Sequence, residues 1–212
     1  MTGPLAQAVL TGAQAERRQR AIDAGLALLR RGDYAQIQVK DVAEEAGVAL
    51  GTLYNYFSSK EHLFAEVLVQ WAATLRASLA HHPLDGATPQ EQLTQALHRS
   101  VRAFQHQPQL ARLVSTLQMS SDPFATEILL RLDQATRGVY LEILQDFEPA
   151  HAQRIIRAAS AVFDSLLRSW SAGRLSTVDL YDYLTDSVSL LFASAGDDRE
   201  LMAARGDQRG RS

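Results

Sequence analysis

Apolar residues along this chain recur three and four positions apart, the period of an α-helix with one buried face. Ile22, Leu26 and Leu29 mark a first helix over about 14–31, closed by Arg30, Arg31 and then Gly32, residues suited to a helix C-terminus. Val39, Val42, Ala43 and Ala46 mark a second, and Gly47 stands where a left-handed residue would end it. A short third helix follows from Ala49, with Leu53 and Phe57 inward and Leu50, Thr52, Tyr54, Asn55 and Tyr56 variously outward. Ser58-x-x-Glu61 has capping-box spacing and opens a fourth, which carries Leu63, Phe64, Val67, Leu68, Trp71 and Leu75.

His81-His82-Pro83 breaks that run, and Thr88-Pro89-Gln90-Glu91 is a second capping box, with Pro at the first helical position. Leu93, Leu97, Val101 and Phe104 then define a fifth helix, and residues 109–119 a sixth. Asp122-Pro123 opens a seventh, Pro149 separates it from an eighth over 150–171, and Leu180, Leu184, Val188 and Leu191 stripe a ninth. No alternating pattern long enough for a strand competes. The prediction is an all-α protein of nine helices, with the ends, 1–13 and 196–212, expected to be disordered.

Two helices joined by a Gly-containing turn of three or four residues form a helix-turn-helix, which sets its second helix in the DNA major groove. The string GVALGTLYNYFSSKEHLF, with the Gly32-Asp33-Tyr34 turn ahead of it, resembles the signature of the tetracycline-repressor (TetR) family of bacterial transcription regulators. The resemblance spans about Arg17 to Glu66. It implies a DNA-binding domain over 14–60, followed over 61–195 by a helical domain that binds an effector and dimerises.

Composition narrows the alternatives. The 212 residues contain no cysteine, which removes disulfides, thiolate nucleophiles and zinc–thiolate sites. None of the six histidines pairs with another at i, i+4, so no helical metal face emerges, and neither a metal nor a cofactor is expected. Gly-rich phosphate loops and nucleophile elbows are absent, which argues against an enzyme. The N-terminus lacks a signal-peptide pattern and no stretch is apolar enough to span a membrane, so a cytoplasmic protein is expected. Net charge is −3, yet residues 1–62 balance 7 Lys+Arg against 7 Asp+Glu, and the only two lysines, Lys40 and Lys60, fall in the helix-turn-helix region.

Candidate DNA contacts sort by chemistry. Tyr54, Tyr56, Lys40 and Lys60 are donors suited to phosphate; Leu50 and Thr52 suit thymine methyls, and Asn55 an adenine edge. Gln38 and Ala49 stand where the family has Ser or Thr caps, each at the loss of a cap of about 1 kcal/mol. Gln38 could reach a base or phosphate instead, and Ala49 leaves its helix-end N–H groups to a phosphate. By resemblance, Thr52, Tyr54, Tyr56 and Lys60 match family positions that contact DNA.

One head reads few base pairs, so a homodimer is expected. Its candidate interface is Ile155, Ala159, Val162 and Leu166 with Leu184, Val188 and Leu191. Candidate pocket residues are Trp71, Leu97, Val101, Phe104, Leu113, Leu117, Met119, Phe124, Tyr140, Phe163, Leu167 and Trp170, with Arg102, Gln118, Asp164 or Arg168 as polar members. They favour an apolar or amphipathic small-molecule effector, whose binding swings the fourth helix and releases a palindromic operator. Tyr34-Ala35-x-Ile37-Gln38-Val39 and the segment Val48 to Tyr54 are similar to the family branch that represses cholesterol catabolism in mycobacteria, which implies a steroid-derived acyl-CoA effector. An activator of the same fold, and a helical ligand-binding module without DNA binding, remain open beside this reading.

Overall fold

The computed structural model describes residues 11–81 and 83–209, with side chains over 11–77 and 83–193. Among the described residues there are nine α-helices and no strand: α1 (Gly12–Arg31), α2 (Val39–Ala46), α3 (Leu50–Tyr56), α4 (Lys60–His81), α5 (Pro89–His106), α6 (Pro108–Gln118), α7 (Pro123–Ile143), α8 (Pro149–Ser171) and α9 (Thr177–Arg209). Both ends extend further into helix than the apolar stripes indicate. α1 begins at Gly12 and α9 continues to Arg209, where 196 onward was expected to be disordered. Residues 1–10 and 210–212, also expected disordered, lie outside the described residues.

The chain divides into two compact units, but not at residue 60. One comprises residues 1–82 and 103–134, the other 83–102 and 135–212. The first therefore holds α1–α4, the last turn of α5, α6 and the start of α7.

In this first unit α1 packs against α2 and α4. The contact is close because of Gly25, where a Cβ would lie 2.9 Å from Val67 Cγ2. The core between these helices is Ile22, Leu29, Val42, Leu53, Phe57, Phe64 and Val67. Gly47 adopts φ 63°, and its N–H and that of Val48 bond back to the Glu44 and Ala43 carbonyls, the Schellman end predicted for α2. The start of α2 is better satisfied than the missing Ser or Thr suggests, because the Asp41 carboxylate accepts the Gln38 N–H at 2.8 Å. The capping box expected at Ser58-x-x-Glu61 does not form ahead of α4. Ser59 Oγ accepts the His62 N–H at 2.9 Å, and Glu61 turns away to accept from the Tyr34 hydroxyl. At α5 and α7 the predicted caps form, through Thr88 with Glu91 and through Asp122 to the Ala125 N–H.

The second unit is built differently. Leu93, Leu97, Val101, Tyr140, Leu144, Ile155, Ile156, Ala159, Leu180, Leu184 and Val188 form one buried apolar cluster, with α8 packed along α9. This corrects the interface expected from the α8 and α9 stripes. Ile155, Ala159, Leu184 and Val188 are spent on the monomer's own core, while Val162, Leu166 and Leu191 lie at its edge, partly buried. Burial pushes the Tyr140 phenol up to about 12, against a hydrogen bond with Ser100 that lowers it.

Candidate nucleic-acid interface

A seven-residue helix has little stability of its own. α3 is held by Leu53, Tyr56 and Phe57, spaced i, i+3, i+4 and all at most 4% exposed. Its opposite side presents Leu50 and Tyr54, 42% and 51% exposed, with Asn55 exposed and Thr52 half-buried. Large side chains held out of the core on so small a helix are available to base edges and phosphates. Gln38, Lys40 and Ala49 are exposed at the helix starts beside them. Seven of the nine residues expected at the DNA are thus accessible.

Tyr56 and Lys60 are not placed as expected. Tyr56 is buried against Phe57, and its hydroxyl accepts from Arg17 Nε at 3.4 Å. It supports Arg17, a half-buried residue of α1, and does not itself face solvent. The i, i+3, i+4 spacing with Leu53 is the signal that marks it as inward. Lys60 Nζ donates to the Tyr34 carbonyl and lies 4.0 Å from the Tyr34 ring centroid. Desolvation lowers its pKa, while Glu61 and Asp41 oppose the shift. A phosphate contact by Lys60 requires the ammonium to leave this seat.

Further residues that the sequence pattern did not mark as site residues fix the head. Arg18, buried in the first turns of α1, pairs with Glu66 of α4 and lies 5.3 Å from the Phe57 ring centroid. Asp33, in the turn before α2, pairs with Arg112 of α6. The Tyr34 phenol, raised by burial and by Glu61, stands edge-on to Phe64 at 5.1 Å.

This arrangement matches known proteins along most of its length. Residues 21–67 match the bacterial regulatory proteins of the tetR family, and residues 86–191 a tetracyclin repressor-like C-terminal domain. The HTH-type transcriptional repressor KstR of Mycolicibacterium smegmatis is 33% identical over 183 residues, 86% of this chain and 90% of that one. The chain belongs to the TetR family. Among solved structures, a TetR regulator from Rhodococcus sp. RHA1 has a TM-score of 0.74 at 25% identity, covering 84% of this chain and 97% of that one. Thermus thermophilus FadR, a TetR-family repressor solved with lauroyl-CoA, has a TM-score of 0.68 at 20% identity, covering 82% and 93%. As a TetR-family member the protein is a DNA-binding transcriptional regulator.

The residues expected to line an effector pocket fall into separate groups. Leu97, Val101 and Tyr140 are core members of the second unit, with Phe163 and Trp170 packed against them and Leu167 buried on α8. Trp71 and Phe104 meet at 4.7 Å with their rings tilted by 45° in the first unit, where Leu113 and Leu117 are also buried. Met119, 84% exposed at the end of α6, lines nothing, because that helix stops one residue earlier. Phe124, 37% exposed, stacks on His62. The polar candidates Arg102 and Arg168 are exposed and Asp164 is half-buried. Among the described residues no group of three or more His, Cys, Asp or Glu could hold a metal, and no helix is long and apolar enough to cross a membrane.

Proposed function

We propose that the protein is a homodimeric, non-enzymatic repressor that leaves a palindromic operator when it binds a thioester of an apolar acid. The exposed reading face of α3 on a buried Leu53–Tyr56–Phe57 anchor carries the DNA half of this reading. Tyr54, Lys40 and Arg17 meet phosphate, while Leu50, Thr52 and Asn55 read bases, a good base pairing contributing about 1–3 kcal/mol of discrimination. The effector half draws on the likeness to KstR along the chain and on the fold shared with a FadR that holds lauroyl-CoA. For the dimer, α8 offers partly buried Val162 and Leu166, and α9 offers exposed Tyr183 and Leu190. Val162 and Leu166 pack against the residues that the core consumes.

The test is capture of sheared genomic DNA on the purified protein, with a Tyr54→Ala, Asn55→Ala double variant as control. Enrichment of one palindromic site by the wild type alone is expected. Lauroyl-CoA, a steroid acyl-CoA and free CoA are then titrated into the complex, and release by a thioester but not by free CoA is expected. If no thioester weakens operator binding by about fivefold, the low end of ordinary coupling between sites, the effector class is wrong.

A further inference from the structure

His62 is buried, with only 7% of its surface exposed, at the start of α4. Its Nδ1 lies 3.1 Å from the Ser58 N–H and 3.1 Å from Ser58 Oγ. Only an unprotonated imidazole nitrogen accepts from a backbone N–H, so Nδ1 carries no proton and Nε2 does. Ser58 directly follows Phe57, the residue that caps α3. The bond therefore fixes the backbone between α3 and α4. The ring is also gripped on two sides. Phe57 meets it edge-on at 5.5 Å, and Phe124, the second residue of α7, stacks on it at 5.1 Å and 11°.

We propose that His62 is a positioning residue for DNA binding, whose neutral imidazole locks the α3–α4 turn and ties it to α7, so that the reading helix is held for the operator only while the ring is unprotonated. This rests on the DNA-binding role of α3. Protonation would set Nδ1–H against the Ser58 N–H and leave Ser58 Oγ as the acceptor facing it, so the backbone bond that holds the turn is lost.

The charged groups around the ring come from three helices and the cap of α7. Glu66 on α4 and Asp122 ahead of α7 favour the proton, while Arg18 on α1 and Arg131 on α7 oppose it. Glu66 is already engaged by Arg18, and Arg131 pairs with Glu127. Burial is the largest influence and lowers the imidazole below its ordinary value. The proton consequently binds best to the open turn, and acidification below about pH 6.5 favours that state.

Operator affinity is measured between about pH 7.5 and 5.5 on the captured duplex, for wild type, His62→Asn and His62→Phe. Asn retains an acceptor near the Nδ1 position and does not titrate; Phe keeps a ring against Phe124 and offers Ser58 nothing. Wild-type affinity is expected to fall roughly fivefold or more on acidification, with the Asn variant flat and the Phe variant weak throughout. Nitrogen NMR of the wild-type imidazole needs no variant. It should show Nδ1 bare at neutral pH, and the Ser58 amide signal should move in the same titration step. Parallel pH curves for wild type and His62→Asn, or a proton on Nδ1 at neutral pH, overturn the proposal. Failure of the wild type to capture any duplex overturns the regulator reading itself, and with it the role of His62.

Discussion

Both compact units have apolar cores, and the one that carries α3 adds ion pairs between its elements, Arg18 to Glu66 and Arg112 to Asp33. Further directional contacts in that unit run from Tyr34 to Glu61 and from Lys60 to the Tyr34 carbonyl, with His62 between two phenylalanines. In the other, Leu97, Val101, Ile155, Ile156, Leu180 and Leu184 gather by apolar burial. Burial is non-directional and tolerates repacking, whereas hydrogen bonds and ion pairs fail when geometry changes. Contacts of the second kind, from Arg18 to Glu66 and from Arg112 to Asp33, fix the helices around α3 in one geometry.

Core truncation gives the largest effect and separates the units. Phe57→Ala is expected to cost about 3–5 kcal/mol and to abolish operator binding, since α3 loses its anchor. Leu184→Ala is expected to cost about 2–5 kcal/mol while the folded fraction still binds DNA. Denaturant melts beside gel-shift titrations check both; equal losses of DNA binding per folded molecule would erase the contrast.

Next in size is Gly25→Ala. The added methyl meets Val67 Cγ2, and overpacking of this kind costs about 1–3 kcal/mol. A Gly25→Ala, Val67→Ala double variant should lose less than the sum of its parts, read from a double-mutant cycle of thermal melts.

Acid sensitivity is a smaller effect that both units share. His62 and His98 are each lowered, chiefly by burial, so the unfolded chain binds protons more readily than the folded one. Stability is then full above about pH 6.5, declines as pH falls below it, and stops declining once both folded imidazoles are protonated. Urea midpoints across that range should show this slope, with His98→Asn and His62→Asn each removing part of it.

The smallest effect is at Arg112→Gln. Its pair with Asp33 is roughly half exposed on both sides, and such pairs contribute about 0–1 kcal/mol. Stability should hardly change, while thioester-induced release from the operator should weaken if this pair connects α6 to the head. An unchanged release curve would leave the pair as surface decoration.

Much of the architecture could be read from residue spacing, because helical stripes, Gly47 and the Thr88 and Asp122 caps act locally. The fold class and the helix order follow from such patterns, and so do Leu50, Tyr54 and Asn55 as outward residues of α3, whereas Tyr56, also expected outward, is buried. The interface on α8 and α9 did not. A stripe says that a face is covered, without saying whether the chain's own core or a second copy covers it, and Ile155 and Leu184 went to the core. Nor did the Ser58-x-x-Glu61 spacing reveal that no capping box forms there, because that depends on Tyr34 reaching Glu61 from 27 positions away. His62 and Asp33 fall within the family signature and Arg112 outside it, but the signature does not give their partners; those roles exist only once distant helices meet.

The first unit is completed by residues that the chain makes late. Phe57 and Phe124, the two rings against His62, are separated by twenty residues of α5 and its approach that belong to the other unit, within a longer interval of sequence. At synthesis rates of about 5–20 residues per second, that interval lasts several seconds, during which the emerging head lacks α6 and α7. The faces of α1 and α4 that α6 will cover therefore stay open through that interval of synthesis.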